Sequence, residues 1–274
     1  MKRTNRIAAA AVMVFAAAVL FAQAKKSQKI VCEGSTTVFP IAQATAEVFM
    51  ERNPGVEISV RGGGSGVGAA SVCEGTCDVG TMSRPMRNSE MAKAAGKGRK
   101  LKGHIVAMDG IAVIVHPSNP ITGLTAAQVK DIYTGKISDW SAVGGSGGKI
   151  VVISRDSASG TFEAFGALAL KGAKVRGDAL MQASNQAVAG MVAKTPGAIG
   201  YVGLGYITDE LKAVPVNGVK ASRETVLSKK YPYSRPLYMY TSAEASELVK
   251  RYIDFIKSED GQKIVEAQGF VGLR

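Results

Sequence analysis

The chain has 274 residues, 46% of them hydrophobic and 20% charged, enough apolar side chain to bury a full core and too much for a disordered protein. Its formal net charge is +12, yet the 34 lysines and arginines are scattered and not gathered in a run with interleaved aromatics, so nucleic acid is not an expected partner. The two histidines, His104 and His116, lie far from the Cys73 and Cys77 pair, which leaves no metal-ligand set and no catalytic triad.

The first 24 residues form a separate unit. Lys2, Arg3 and Arg6 precede an apolar run over 7–21, and Ala22-Gln23-Ala24 is a small-x-small cleavage signal. The run is shorter than the roughly 20 apolar residues that span a bilayer, so it reads as a signal peptide cut after Ala24 and not as an anchor. No cysteine stands at the cut, so lipidation there is not expected, and export to the periplasm is.

Strands, loops and helices then alternate. A strand over 29–33 is followed by Gly34-Ser35-Thr36-Thr37 and a helix over 38–52, which Asn53-Pro54-Gly55 stops. A strand over 56–61 leads through Gly62-Gly63-Gly64-Ser65 to a short helix over 66–73, and Asp78 opens another short strand. The segment 105–115 is apolar and β-branched, 125–133 is a helix capped by Thr125, and 149–154 is a buried-strand pattern. After the loop 155–159 comes a helix over 160–170, then strands over 198–202 and 236–240 and a helical tail over 242–267, broken near Gly261. No period of 20–50 residues recurs, so the alternation describes an α/β protein with largely parallel sheets.

Three of the loops share one chemistry. Gly34-Ser35-Thr36-Thr37, Gly63-Gly64-Ser65-Gly66 and Ser157-Ala158-Ser159-Gly160-Thr161 each place glycine and small hydroxyl residues between a strand and a helix. The first turn of a helix has unpaired N–H groups and partial positive charge, so such a loop can hold an anion as well as simply cap its helix. Arg155, just before the third loop, adds a planar cation that can grip two oxygens or pair with Asp156. Gly144-Gly145-Ser146-Gly147-Gly148 fits G-x-S-x-G in letters only, because a hydrolase elbow needs a strand before it and a helix after it. Cys73 and Cys77 could close a small disulfide in an oxidising compartment, while Cys32 on an apolar strand reads as a buried thiol.

Six segments in order resemble the phosphate-binding proteins of bacterial ABC importers. They begin at Gly34-Ser35-Thr36-Thr37-Val38-Phe39-Pro40, Arg61-Gly62-Gly63-Gly64-Ser65, Cys77-Asp78-Val79-Gly80-Thr81, Asp131-Ile132-Tyr133-Thr134-Gly135, Ser154-Arg155-Asp156-Ser157-Ala158-Ser159 and Arg235-Pro236-Leu237-Tyr238. The resemblance implies a two-lobed periplasmic binding fold (type II), two α/β lobes joined by a two-crossing hinge. The crossings are expected near Asp109 and Arg235, giving lobe 1 from 25–109 plus 235–274 and lobe 2 from 110–234.

It further implies that phosphate lies between the lobes on Thr36, Thr37, Ser65, Asp78, Arg155, Ser159, Gly160 and Thr161. Thr37 is expected to contribute its backbone N–H. Asp78 is expected to accept a proton that phosphate carries and sulfate lacks. The implied partners are the ligand and a membrane permease with cytoplasmic ATPases. A monomer with no cofactor and no catalysis is expected; a sulfate, molybdate or tungstate binder and an exported phosphatase or hydrolase are the alternatives.

Overall fold

The computed structural model describes residues 28–273, so the expected leader and its expected cleavage point lie outside them. In chain order the elements are β1 (Gln28–Gly34), α1 (Phe39–Arg52), β2 (Val56–Arg61), α2 (Ser65–Glu74), β3 (Val79–Met82), α3 (Asn88–Gly96) and β4 (Leu101–Val115). There follow α4 (Ala126–Thr134), β5 (Val151–Arg155), α5 (Gly160–Leu168), β6 (Leu180–Gln182), α6 (Asn185–Ala193), β7 (Ala198–Gly203) and β8 (Lys212–Val214). The chain ends with α7 (Arg223–Leu227), β9 (Ser234–Ser242), α8 (Glu247–Lys257) and α9 (Glu259–Ala267).

The sheet runs β2-β1-β3-β9-β4-β7-β5-β6, with β8 added against β4. β1 is parallel to both β2 and β3, and β5 is parallel to both β6 and β7, as strand-loop-helix repeats require. β4 belongs to both halves. Its residues 101–110 pair antiparallel with β9, and 111–115 pair with β7. Residue patterning explains the long strand: the apolar, β-branched run suits burial on both faces in the second half, while Lys102, Gly103 and His104 extend it past the expected start at 105 toward a more exposed end.

Two apolar cores flank the shared strands. One gathers Ile30, Ile41, Val79, Ala107, Leu237 and Ile253; the other gathers Ile111, Ile114, Ile132, Phe165, Val202 and Tyr233. Val271 leaves the chain end in the second core, bridging Met108 of β4. On α8, Val249, Tyr252, Ile253 and Ile256 recur at helical spacing and turn one face inward.

Local chemistry sets the boundaries. α1 has proline in its first turn, and α4 begins with a capping box in which Thr125 Oγ1 accepts from Gln128 N at 3.1 Å. The helical tail breaks at Ser258 and not at Gly261: Ser258 ends α8, and its Oγ accepts the Gly261 N–H at 3.3 Å to start α9. α3, α6, α7, β6 and β8 were not expected from the sequence pattern.

The possible Cys73–Cys77 disulfide is not formed. All three cysteines are buried thiols, and Cys73 Sγ turns instead toward the Glu90 carbonyl at 3.4 Å. Burial, with nearby Glu33 and Asp78, pushes Cys77 up to about 12, so the thiol stays protonated and unreactive at neutral pH. Among the described residues no helix is long and apolar enough to cross a membrane.

Candidate functional site

The strand ends converge on one cleft. β1 delivers Ser35, Thr36 and Thr37 to the start of α1, β2 delivers Ser65 to α2, and β3 delivers Ser83. From the opposite wall β5 delivers Arg155, Ser159, Gly160 and Thr161 to α5, and the segment after β6 delivers Asn185 to α6.

The walls touch through hydroxyls. Thr161 Oγ1 lies 2.9 Å from Thr37 Oγ1 and 3.5 Å from Ser83 Oγ across the cleft, and Ser83 Oγ lies 3.3 Å from Ser65 Oγ within the first wall. The backbone crosses too, Gly66 N donating to Ala158 O at 2.9 Å. Close approach is possible because the residues at the contact lack side chains: a Cβ on Gly160 would stand 2.2 Å from Ser65 Oγ, and one on Gly64, at φ +95°, 2.5 Å from Ala158 O.

Arg155 is 1% exposed. Its Nε donates to Gln182 O at 3.0 Å and its Nη2 to Ala183 O at 2.9 Å, while Nη1 is buried with no hydrogen-bond partner among the described residues. Two backbone carbonyls thus aim the fork and leave one charged donor for something else. Burial pulls this guanidinium below the usual arginine range, but arginine remains protonated at any working pH. Asp156 does not neutralise it by a hydrogen bond; its Oδ1 accepts from Ala158 N at 3.1 Å and shapes the loop.

A second guanidinium is buried beside the first. Arg235 donates from Nη2 to Thr161 Oγ1 at 3.0 Å and from Nη1 to Ser83 O at 3.1 Å, and pairs with Asp109 at 2.9 Å. Two buried arginines therefore face one buried carboxylate, and the cleft carries a local excess of positive charge that an anion would offset. Tyr201, whose hydroxyl accepts the Arg155 N–H at 3.2 Å, is pushed up to about 12 by burial and stays neutral.

Seven of the eight residues expected from sequence come together, with changes of role. Thr37 turns its hydroxyl into the cleft, and its backbone N–H is taken by Ser35 Oγ at 3.1 Å, the reverse of the expectation. Ser159 Oγ caps α5, accepting from Phe162 N at 3.1 Å. Thr36 and Ser65 occupy the first-lobe wall, and Gly160 and Thr161 the other.

Asp78 is a correction. It is exposed, and its Oδ2 accepts the Val31 N–H at 2.8 Å. The cleft lies beyond the C-terminal end of β3, at Ser83, whereas Asp78 precedes the strand; at about 3.3 Å per residue the two positions are on the order of 16 Å apart. Asn185, Ser83, Asp109 and Arg235 were missed as cleft residues. The only sequence signal for Asn185 was Ser184-Asn185 before an apolar stretch, a fourth helix start. Among the described residues no three His, Cys, Asp or Glu side chains gather as a metal site.

Residues 21–260 match the PBP superfamily domain. A phosphate-binding protein PstS from Bacillus subtilis is 36% identical over 252 residues, covering 90% of this chain and 81% of that one. The protein of the same name from Borreliella burgdorferi is 32% identical, covering 88% of each. Among solved structures, a phosphate ABC transporter substrate-binding protein from Clostridium perfringens, with bound phosphate, superposes with a TM-score of 0.85 at 37% identity, covering 90% of this chain and 100% of that one.

Proposed function

This chain belongs to the PBP superfamily, among relatives named phosphate-binding protein PstS, and from that premise we propose that it is an extracytoplasmic protein that captures inorganic phosphate in this cleft and delivers it to an ABC importer. One observation carries the ligand class: the buried Nη1 of Arg155, a charged donor without a hydrogen-bond partner among the described residues. A buried charge in that state is costly, and an anion oxygen placed on it relieves the cost; a charge-assisted bond contributes about 1.5–3 kcal/mol.

Binding is then a matter of donors. Phosphate sits between the helix starts and takes hydrogen bonds from Arg155 Nη1, from the hydroxyls of Thr36, Thr37, Ser65 and Thr161, and from first-turn amides such as that of Gly160. The hydroxyls that now bond to one another redirect toward its oxygens. Lobes formed by 25–109 plus 235–274 and by 110–234 close on the ligand by bending at the crossings in β4 and β9, which excludes water and strengthens each bond. Both walls come from one chain, so a monomer suffices. The leader, cut after Ala24, places the protein outside the cytoplasmic membrane, where a permease would read the closed shape.

No catalysis is needed in this account. The histidines bond elsewhere, His104 to Thr241 Oγ1 at 3.0 Å and His116 to Ser118 Oγ at 2.7 Å, so the cleft hydroxyls have no histidine base. Isothermal titration of protein stripped of ligand by partial unfolding tests the proposal. Phosphate should bind at about 1 μM or tighter, equivalent to about −8 kcal/mol, and more tightly than sulfate or molybdate. Preference for another oxyanion, or turnover of a chromogenic phosphate ester, would contradict it.

A further inference from the structure

Asn185 is the first residue of α6 and is fully buried at the cleft. It is not spent on capping, because Ser184 Oγ already accepts from Ala187 N at 3.0 Å. Its Oδ1 accepts the Gly203 N–H at 3.2 Å, and its Nδ2 donates to Thr36 Oγ1 at 3.1 Å and to Thr37 Oγ1 at 3.0 Å. A backbone N–H can only donate, so the Gly203 contact fixes which end of the carboxamide is oxygen and turns the NH2 end to the threonines.

That arrangement sets the direction of the threonine hydroxyls. A hydroxyl has one proton to give and two lone pairs to fill. Thr37 Oγ1 receives Asn185 Nδ2 and, at 3.4 Å, Arg235 Nη2, so both lone pairs face donors and its proton goes to Thr161 Oγ1 at 2.9 Å, from which an anion oxygen can take it over. Thr36 Oγ1 receives the other Nδ2 proton. Neither hydroxyl can turn its proton back to the amide, and each is left as a donor.

We propose that Asn185 is a positioning residue for the anion: its carboxamide, held by Gly203, commits the Thr36 and Thr37 hydroxyls to donate toward the ligand. The role rests on the phosphate reading above. It also ties donor direction to closure, since Asn185 and the threonines stand on opposite walls and meet only when the walls do. An acidic side chain of the same shape would accept from the threonines and turn both protons away from the anion.

A double-mutant cycle read by phosphate titration tests this, with thermal unfolding of each variant as the control for folding. Asn185→Ala should weaken phosphate binding about tenfold in the otherwise unchanged protein and no more than about threefold in a Thr37→Val background, because its effect passes through that hydroxyl. Asn185→Asp, closer in shape, should weaken binding more than Asn185→Ala does. Equal losses from Asn185→Ala in both backgrounds, or a smaller loss from Asp than from Ala, would overturn the role. An unmodified protein that binds no phosphate would overturn the parent reading and this role with it, whereas additive losses in a protein that does bind overturn the role alone.

Discussion

Arg235 and Asp109 are Cα register partners on β9 and β4, and the guanidinium holds the carboxylate through Nε at 3.0 Å and Nη2 at 2.9 Å. β4 pairs with both β9 and β7, so this buried ion pair ties β9 to the one strand that belongs to both halves of the sheet. Asp109 Oδ1 also accepts from Leu204 N at 2.9 Å, and Arg235 reaches Ser83 O and Thr161 Oγ1, which joins the pair to the cleft walls. Asp109→Asn leaves Arg235 buried without its counter-charge and should cost about 3–5 kcal/mol in urea unfolding, as loss of one partner of a buried pair does. Phosphate at a hundred times its Kd should restore about 2.7 kcal/mol by binding only the folded state.

Gly160→Ala should act on closure and not on folding. Its Cβ would meet Ser65 Oγ at 2.2 Å and Ser83 Oγ at 2.8 Å, atoms from the opposite wall, so the clash is relieved by holding the walls apart. Small-angle scattering should show a larger radius for the variant than for the wild type in phosphate, with weakened binding and a nearly unchanged melting temperature.

Asp78→Asn should leave phosphate affinity and the phosphate-to-sulfate ratio unchanged within twofold by titration. The side chain is exposed, and the amide oxygen of asparagine can still accept the Val31 N–H. Any discrimination between the two anions is then a matter for cleft hydroxyls other than those of Thr36 and Thr37, since a hydroxyl not committed to donating can accept a ligand proton.

An ion cluster spans the cleft mouth, where Arg84 binds Glu90 through Nη2 at 2.7 Å and pairs through Nε with Glu163 of α5 at 2.9 Å. Burial pushes Glu90 up, but the Arg84 hydrogen bonds and the Arg87 N–H outweigh it and hold the carboxyl below its ordinary range. A carboxyl with a depressed folded pKa stabilises above its unfolded value, about 4.3, and loses that stabilisation as pH falls through the folded value. Glu90→Gln should therefore cost about 1 kcal/mol at pH 7, with the gap to the wild type closing as pH falls below about 4.3 and through the depressed folded value in denaturant titrations.

The recurrence of glycine and hydroxyl residues between apolar strands and helices made Thr36, Thr37, Ser65 and Thr161 legible as one chemistry, since capping requirements are local. Arg155 was legible for the same reason, standing at the strand end before such a loop. What sequence could not give was direction and distance. Asp78 was expected in the cleft from the family resemblance of its segment, but the strand between Asp78 and Ser83 carries Ser83 to the cleft and leaves Asp78 at the far side. Asn185 follows a weakly patterned strand, and the pairing of Asp109 with Arg235 depends on strands 126 positions apart. The break at Ser258 was misplaced because glycine is a conspicuous helix breaker, while a serine cap acts only through its hydrogen bond.

A crystal structure at saturating phosphate tests the account most directly. One phosphate oxygen should lie within about 3 Å of Arg155 Nη1, with others on the Thr36, Thr37, Ser65 and Thr161 hydroxyls. Phosphate bound outside the cleft, or inside it with Nη1 turned away, would contradict the claim that the unpaired guanidinium donor is what the ligand completes.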